Sequence, residues 1–405
     1  MSHTIEENEQ RRAVIGIDGS KDKFDACCID GNGKELFRVS APMDSTGFDG
    51  LAQKIRTHGL IQGNVVAGME STGCYHLNLF SFLTGMNFQC LIINPLLISN
   101  FMKLDLRKTK TDKKDAAVIA QFLRLHRDAV HQLNTSEEIA DLRDLARQRE
   151  SLCRQMSALK NDLKRLLSIT FPELEKETNV FSHSVLTVLT LFASAAAVQR
   201  ASVSQIAKCL SKGALGRKTS ITAEQIKHAA KKSVGTTSMA KEFVVSQKAS
   251  MLLYMGERMQ ELSDTMNELC ASLLQQEIEI MTSVKGIGET TASEFLGEIG
   301  GDISKFESAK KVIAFAGLDP SVHQSGKHVG QSKISKRGSR YLRRVIWQMS
   351  VKVIRYNETF REYFMKRRQE GLVYRKAVLA TAHKLVRVIF SMLMHKAHFC
   401  SPHYS

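Results

Sequence analysis

The first hundred residues contain a succession of short apolar runs, and two of these runs end directly in an acidic residue. Ala13 to Ile17 precedes Asp18, and Asn64 to Met69 precedes Glu70. Apolar runs of this length, bounded by turn residues, are typical of buried strands. Each of these two predicted strands therefore delivers a carboxylate at its C-terminal end.

The neighbouring segments predict the rest of a sheet. Phe24 to Ile29 and Glu35 to Val39 flank the turn-rich tetrad Asp30 to Gly33, which predicts an antiparallel hairpin. Phe48 to Ile55 has a helical pattern, and Gln89 to Pro95 is a further strand that the proline stops. The predicted order is three strands in a meander, followed by strand and helix in alternation.

A basic stretch, Arg107 to Ile119, contains two more acids and has the pattern of a loop that enters a helix. Asp112 and Asp115 are three residues apart, so on a helix they point the same way, one turn apart. Two carboxylates one helical turn apart raise each other's pKa, unless a nearby cation compensates their negative charge. The alternative is a solvated helix start with mixed charges, since the surrounding lysines also supply cations.

Taken together, the four acids predict a metal site. Phosphoryl transfer by two metals needs several carboxylates from separate elements, which hold two Mg²⁺ ions about 4 Å apart. The strand order, with acids at two strand ends and on a later helix, is what a ribonuclease H-like metal nuclease needs. We therefore predict Asp18, Glu70, Asp112 and Asp115 as metal ligands. Taken singly, each is also explained as a solvated turn residue or a helix cap.

The charge of the chain indicates a polyanionic partner. Lys and Arg outnumber Asp and Glu by 57 to 41, a net charge of +16, which favours nucleic acid. The 405 residues suffice for two or three domains. The eight cysteines are scattered, without the spacing of a disulfide scaffold or a zinc site, which indicates reduced thiols and a cytosolic protein. No apolar run reaches the length of about 18 residues that suggests a membrane span.

Two long apolar stripes dominate the middle of the chain. The spacing, mostly of threes and fours, predicts long amphipathic helices that pair with each other or with another subunit. Between them, Thr222 to Gln225 is a capping-box pattern for a helix that stops near Gly235. The first stripe comprises Ile139, Leu142, Leu145, Leu152, Met156, Leu159, Leu163 and Leu166, and the second Leu252, Met255, Met259, Leu262, Met266, Leu269, Leu273 and Ile280.

The last third of the chain has the marks of a phosphate-binding region. Val284 to Ala292 has the spacing of a helix-hairpin-helix turn, in which glycines let backbone N–H groups approach a phosphate; a plain turn between helices is the alternative. From Pro320 through Asn357 there are nine Lys and Arg and no acid, which indicates a phosphate track. The predicted nucleic-acid contacts are Lys108, Lys110, Gly286, Gly288, Lys327, Lys333, Lys336, Arg337, Arg340, Arg343 and Arg344.

Seven motifs, taken in order along the chain, carry a resemblance to a known family. The chain resembles DEDD-type insertion-sequence transposases, the insertion sequence 110 family that also includes the Piv invertases. The motifs are Gly16-Ile17-Asp18, Met69-Glu70-Ser71-Thr72-Gly73, Lys110-Thr111-Asp112 to Asp115-Ala116, Gly286-Ile287-Gly288, Phe315-Ala316-Gly317-Leu318-Asp319-Pro320, Gln324-Ser325-Gly326 and Ile334-Ser335-Lys336-Arg337-Gly338.

This resemblance implies a fold of the α/β plus α class. It implies a RuvC-like nuclease domain over residues 1–130, a long helical coiled-coil region over 131–280 and a mostly helical C-terminal transposase domain over 281–405. The family's serine nucleophile matches Ser325, although residue chemistry alone leaves Ser321, Ser332 and Ser335 open.

The resemblance also implies an activity and partners. The expected protein is a DNA recombinase that binds Mg²⁺, forms a phosphoserine bond, uses a guide or bridge RNA and acts on donor and target DNA. It is expected to be a dimer or tetramer in the cytoplasm of a bacterium or archaeon, associated with the nucleoid and not with a membrane. The alternatives are a metal-dependent junction resolvase without serine chemistry and a non-catalytic coiled-coil scaffold.

Overall fold

The chain divides into two compact units, residues 1–132 and 133–405, each with its own hydrophobic core. The computed structural model describes residues 13–70, 75–102, 112–126, 136–321, 324–325, 328–329 and 333–400. The predicted boundary near residue 130 falls close to the division between the units. The predicted boundary at residue 280 falls inside the second unit.

A five-stranded sheet forms the centre of the first unit, in the order β3-β2-β1-β4-β5. β1 pairs with β2 and β2 with β3 in antiparallel fashion, whereas β1–β4 and β4–β5 are parallel. The meander followed by alternating strands and helices, predicted from the apolar runs, is therefore confirmed. The strands are β1 Ala13–Gly19, β2 Lys23–Ile29, β3 Glu35–Pro42, β4 Val65–Glu70 and β5 Gln89–Ile93.

In the described residues of this unit, four helices cover the two faces of the sheet, which explains why β1 and β4 are apolar on both sides. They are α1 Ser45–Thr57, α2 His76–Gly85, α3 Pro95–Met102 and α4 Asp112–His126. Leu51 of α1 and Leu83 of α2 pack on the face of Ile15. On the opposite face, Ile119 of α4 packs with Val14.

The second unit is almost entirely helical in its described residues. The helices are α5 Glu137–Thr170, α6 Leu174–Glu177, α7 His183–Leu191, α8 Ala195–Arg200, α9 Val203–Ala214, α10 Ala223–Lys231, α11 Met239–Thr282, α12 Glu289–Ile299, α13 Ala309–Phe315, α14 Arg340–Tyr356, α15 Glu358–Gln369 and α16 Tyr374–Met394. Two short strand pairs lie between α13 and α14: β6 Pro320–Ser321 with β9 Lys333–Ile334, and β7 Gln324–Ser325 with β8 His328–Val329. A 3₁₀ turn, Ile303–Lys305, precedes α13.

The two long stripes pack against each other within one chain. Arg149 donates to Ser263 (Nε to Oγ, 3.0 Å), and Lys248 donates to Asp162 (Nζ to Oδ2, 3.0 Å). Since the position along α11 falls as the position along α5 rises, the two helices are antiparallel. Of the two pairings that the sequence left open, the described residues show the one within the chain.

The helix that contains the second stripe, Leu252 to Ile280, differs from a simple straight helix over those residues in two respects. α11 begins earlier, at Met239, and leaves helical geometry at Leu274, where φ is −138° and ψ is 34°. The stripe also contributes to two cores, and the change from one to the other comes before Leu274, because Met266 already belongs to the core that contains Ile280. Leu252 belongs to the core of the short helices α6 to α10, and Ile280 belongs to the core of α12 to α16.

The capping box predicted at Thr222 is confirmed. Thr222 and Gln225 form a reciprocal capping box at the start of α10, although the helix ends at Lys231, before Gly235. Ser339 caps α14 by accepting from the backbone N–H of Leu342. By length and composition, α16 is the one helix of the described chain that meets the criteria for crossing a membrane, yet half of its apolar window is buried in the core.

Candidate active site

Two of the predicted metal ligands lie on neighbouring parallel strands. Asp18 is near the C-terminal end of β1, and Glu70 is the last residue of β4. The register pairs Ile17 with Met69, which places Asp18 beside Glu70 at the next position. Because side chains alternate along a strand, both carboxylates share the face on which Val14 packs with α4.

The third acid lies on the helix that covers this face. A Cβ on Gly16 of β1 would lie 2.2 Å from the carbonyl oxygen of Ala116 and from the backbone nitrogen of Ala120. Glycine therefore lets α4 approach the backbone of β1 two residues before Asp18. Asp115, which directly precedes Ala116, is half-buried beside this crossing point.

The fourth acid, Asp112, is the first residue of α4. Its backbone thus begins the helix one turn before Asp115, as the spacing predicted. Its side chain lies outside the described part of the structure, and so do Lys108 and Lys110 in the preceding segment.

The structure adds a fifth acid that the sequence analysis did not single out. Asp25 of β2 pairs in register with Asp18 on the antiparallel neighbour, so the two carboxylates share a face. Asp25 is only 2% exposed, and its Oδ2 lies 3.4 Å from Lys23 Nζ. Its buried Oδ1 has no hydrogen-bond partner. The available signal was an acid within the otherwise apolar predicted strand Phe24 to Ile29.

The residue types fit a hard divalent cation, because carboxylate oxygens are the ligands that Mg²⁺ and Mn²⁺ prefer. The strand ends and α4 bring Asp18, Glu70 and Asp115 to one face of the sheet. In the described part of the chain, however, no group of three or more His, Cys, Asp or Glu side chains is gathered closely enough to hold a metal.

The predicted nucleophile lies in the second unit. Ser325 is in β7, where its backbone pairs with that of His328. The loop that contains it begins at β6 and returns at β9, whose residues Ser321 and Lys333 pair with each other. Lys327 and the side chains of Ser325 and Lys333 lie outside the described residues.

The predicted basic contacts of the second unit fall into two groups. Arg343 Nη1 donates to the carbonyl oxygen of Ala316 at 2.8 Å, and Arg344 Nη1 donates to Glu150 Oε1 at 2.6 Å, so both guanidinium groups make internal contacts. Lys336, Arg337 and Arg340 are exposed instead. A run of basic residues in sequence therefore does not translate into one basic face.

The two glycines of the predicted hairpin also differ in their surroundings. Gly286 has a φ of +109°, and a Cβ there would lie 3.0 Å from the carbonyl oxygen of Lys352 in α14. Gly288 is the N-cap of α12, has no side-chain cap and has no neighbour within 4 Å of an added Cβ. The uncovered helix N-terminus of the predicted hairpin is therefore at Gly288, whereas the missing side chain of Gly286 lets α14 pack closely.

A network of ion pairs connects α5, α12 and α14. Glu298, only 2% exposed, accepts from Arg147 Nε at 2.7 Å and from Ser339 Oγ at 2.7 Å. Glu294 accepts from Arg149 Nη1 at 2.6 Å; burial raises the pKa of its carboxyl, and the nearby Arg149 charge opposes that rise. The N-cap of α14 is thereby tied to α5 through one buried carboxylate. Sequence spacing gave no signal for this network.

Two family models match the chain. The model for DEDD transposases of IS110 elements, described as "Transposase", matches residues 15–172. A second model, described as "Transposase IS116/IS110/IS902 family", matches residues 278–365. Together they cover more than half of the chain, including all four predicted metal ligands and Ser325.

Several curated proteins are similar over almost their whole length. An IS116 uncharacterized 44.8 kDa protein of Streptomyces clavuligerus is 27% identical over 96% of both chains. The pilin gene-inverting protein of Moraxella lacunata is 24% identical over 94% of this chain and 96% of its own. The transposase for insertion sequence element IS1111A of Coxiella burnetii is 24% identical over 94% of this chain and 89% of its own.

These matches support a transposase or recombinase that binds DNA and depends on a divalent metal, with a RuvC-like fold in its first unit. The mixed sheet and the acids on its α4 face agree with that fold. The chain belongs to the IS110/IS116 family of DEDD transposases, which includes the pilin gene-inverting proteins.

Proposed function

We propose that this transposase cuts DNA strands by attack of the Ser325 hydroxyl on the scissile phosphate. The Oγ–phosphorus bond forms as the bond from phosphorus to the 3′ oxygen breaks. The serine proton is transferred to the leaving oxygen, which becomes a free 3′ hydroxyl. The DNA stays attached through a phosphoserine, whose energy is conserved for rejoining to another 3′ hydroxyl.

We propose that Asp18, Glu70, Asp112 and Asp115 hold two Mg²⁺ ions. Such ions, when bound, stabilise negative charge on the phosphate and lower the pKa of an attacking hydroxyl. The observation that carries this proposal is the register that places Asp18 beside Glu70 on the face covered by α4. The carboxylates themselves orient these ions and keep them at one face of the sheet.

The test separates serine chemistry from simple hydrolysis. A Ser325→Ala protein should lose both strand cleavage and the covalent protein–DNA adduct, which is visible as a slowly migrating band on a denaturing gel. Ser321→Ala and Ser332→Ala are matched controls in the same loop and should retain the adduct. Full-rate cleavage by Ser325→Ala would favour a junction resolvase in which water attacks.

The acids are tested separately. Alanine at Asp18, Glu70, Asp112 or Asp115 should abolish cleavage while DNA affinity stays within a few-fold of wild type, because the metal site and the phosphate contacts are different groups. Unchanged recombination by Asp18→Ala would favour the non-catalytic scaffold. Cleavage measured in Mg²⁺ and in Ca²⁺, which takes more ligands in a looser geometry, reports on the metal requirement.

We propose that Lys336, Arg337 and Arg340 belong to a phosphate-binding surface. Their support is exposure next to the serine loop, without any acid between Pro320 and Asn357. Each lost phosphate contact flattens the slope of log affinity against log salt by about one unit on duplex DNA. Arg337→Ala with Arg340→Ala should flatten the slope by about two units, and an unchanged slope would place this surface elsewhere.

We further propose a guide RNA that bridges donor and target DNA, and a dimer or tetramer. The basic charge supports a nucleic-acid partner but does not distinguish RNA from DNA.

The exposed apolar side chains Met239, Phe243, Met251 and Tyr254 on α11 support a contact between copies. Sequencing the RNA that copurifies from the host, and measuring the mass by light scattering, tests the two proposals. The proposed location is the bacterial or archaeal nucleoid.

A further inference from the structure

The two ends of the serine loop are joined to each other by a dense set of hydrogen bonds. We call this set the clasp; it joins residues 315–319 before the loop to residues 335–343 after it. Three of its bonds are between backbone groups. Ser335 N donates to Asp319 O at 2.8 Å, Lys336 N to Gly317 O at 3.0 Å and Ser339 N to Phe315 O at 2.8 Å.

Side chains reinforce the clasp from both ends. Ser335 Oγ donates to Asp319 Oδ1 at 2.5 Å and accepts from the backbone N–H of Arg337 at 3.2 Å. Arg343 Nη1 donates to the Ala316 carbonyl at 2.8 Å. The Ser335 hydroxyl is thus committed both as a donor and as an acceptor.

The backbone of the clasp is held in conformations that a free loop would not adopt. Lys336 has a φ of +55°, in the left-handed region that residues with a side chain rarely occupy. Gly338 has a φ of +146°, and a Cβ there would lie 2.3 Å from the Phe315 carbonyl oxygen. Such strain persists only where the surroundings determine it, and here the Asp319–Ser335 bond lies directly beside it.

The clasp is also anchored to the rest of the unit. Ser339, which follows Gly338, donates through Oγ to the buried Glu298 at 2.7 Å. On the opposite side, the His383 ring lies 3.1 Å (Nε2) from the Leu318 carbonyl oxygen. The ends of the loop are therefore fixed to α12 and α16 as well as to each other.

We propose that the Asp319–Ser335 hydrogen bond is a positioning device that sets the entry and exit of the serine loop and thereby the placement of Ser325. This inference rests on the serine chemistry proposed above. Asp319 and Ser335 are positioning residues in it. A misplacement of about 1 Å at a reacting group can cost about 100-fold in rate, which sets the scale of the effect.

The test compares substitutions that remove the bond with one that keeps it. Asp319→Ala and Ser335→Ala should each lower the single-turnover rate of adduct formation by about 10- to 100-fold, with DNA affinity unchanged. Asp319→Asn should stay within a few-fold of wild type, because the amide oxygen still accepts from Ser335. The double variant should be no slower than the slower single variant, because both remove the same bond.

A matched control exists in the same unit. Asp302 and Ser304 form a similar pair, with Ser304 Oγ donating to Asp302 Oδ2 at 2.8 Å. Asp302→Ala should leave the rate unchanged. Ser335→Ala, which removes one oxygen, serves where Asp319→Ala does not fold.

Two outcomes would overturn the inference. Full-rate adduct formation by both Asp319→Ala and Ser335→Ala would show that the bond positions nothing. An Asp319→Asn protein as slow as Asp319→Ala would show that the negative charge is needed, as for a ligand or a general base. Failure of the proposed serine chemistry gives a different result. The wild-type protein would then form no covalent adduct, and Ser325→Ala would still cleave DNA.

Discussion

Replacement of Gly16 by alanine tests the contact on which the metal face depends. The added Cβ would lie 2.2 Å from the Ala116 carbonyl oxygen and from the Ala120 nitrogen, and real Cβ contacts essentially never fall below 3.0 Å. Both atoms belong to the backbone of α4, so no side-chain rotation relieves the clash. The helix must move away from β1 by about 1 Å, the difference between those two distances.

Two consequences have different magnitudes. Forcing an extra carbon into a close-packed contact typically costs about 1–3 kcal/mol of folding free energy. The same movement carries Asp112 and Asp115 away from Asp18 and Glu70 on the sheet. Since a misplacement of about 1 Å can cost about 100-fold, cleavage should fall by about two orders of magnitude while the unit stays folded.

The assay measures single-turnover strand cleavage and thermal unfolding of the same protein. One kcal/mol lowers the melting temperature of a domain of this size by about 4 °C. Gly50→Ala is the matched control, since Gly50 lies in α1 with nothing within 4 Å of an added Cβ. It should raise stability by about 0.5–1 kcal/mol and leave cleavage intact. A Gly16→Ala protein with normal cleavage and normal melting would refute the reasoning.

Three further predictions concern the second unit and the assembly. Burial lowers the pKa of His383 below its ordinary value of 6.5 and the Arg387 charge lowers it further, against the opposing effects of the Leu318 carbonyl and Asp319. The stability that this shift contributes is present above pH 6.5 and is lost as the pH falls through the folded-state pKa. The melting temperature of His383→Gln should therefore fall less between pH 7 and pH 5 than that of the wild-type protein. Glu298→Ala should destabilise the protein by about 2–3 kcal/mol in denaturant titration. This is less than the cost of breaking a fully buried pair, because Arg147 stays 39% exposed. A change below about 0.5 kcal/mol would contradict an energetic role for the network. If the metal site and the serine loop act across subunits, a mixture of Asp18→Ala and Ser325→Ala proteins, each inactive alone, should recover cleavage; no recovery in verified mixed oligomers would show that they act within one chain.

Local sequence determined the elements of the first unit. Alternation and apolar runs are local properties, so the five strands, their succession along the chain and the strand-end positions of Asp18 and Glu70 were predictable. The spacing of Asp112 and Asp115 similarly predicted one turn of helix at the start of α4. Capping boxes, such as the one at Thr222, involve only residues three apart and were predictable for the same reason.

Contacts between distant residues were decided by the tertiary structure alone. The sequence could not show that Asp25 faces Asp18, because register depends on how strands pair. Nor could it show that Arg343 and Arg344 bond internal carbonyl and carboxylate groups instead of facing solvent, since a cation's partner is set by what packs beside it. The two apolar stripes gave two helices but not their pairing, because an amphipathic face fits any complementary surface. In the folded chain, α11 lies antiparallel along α5.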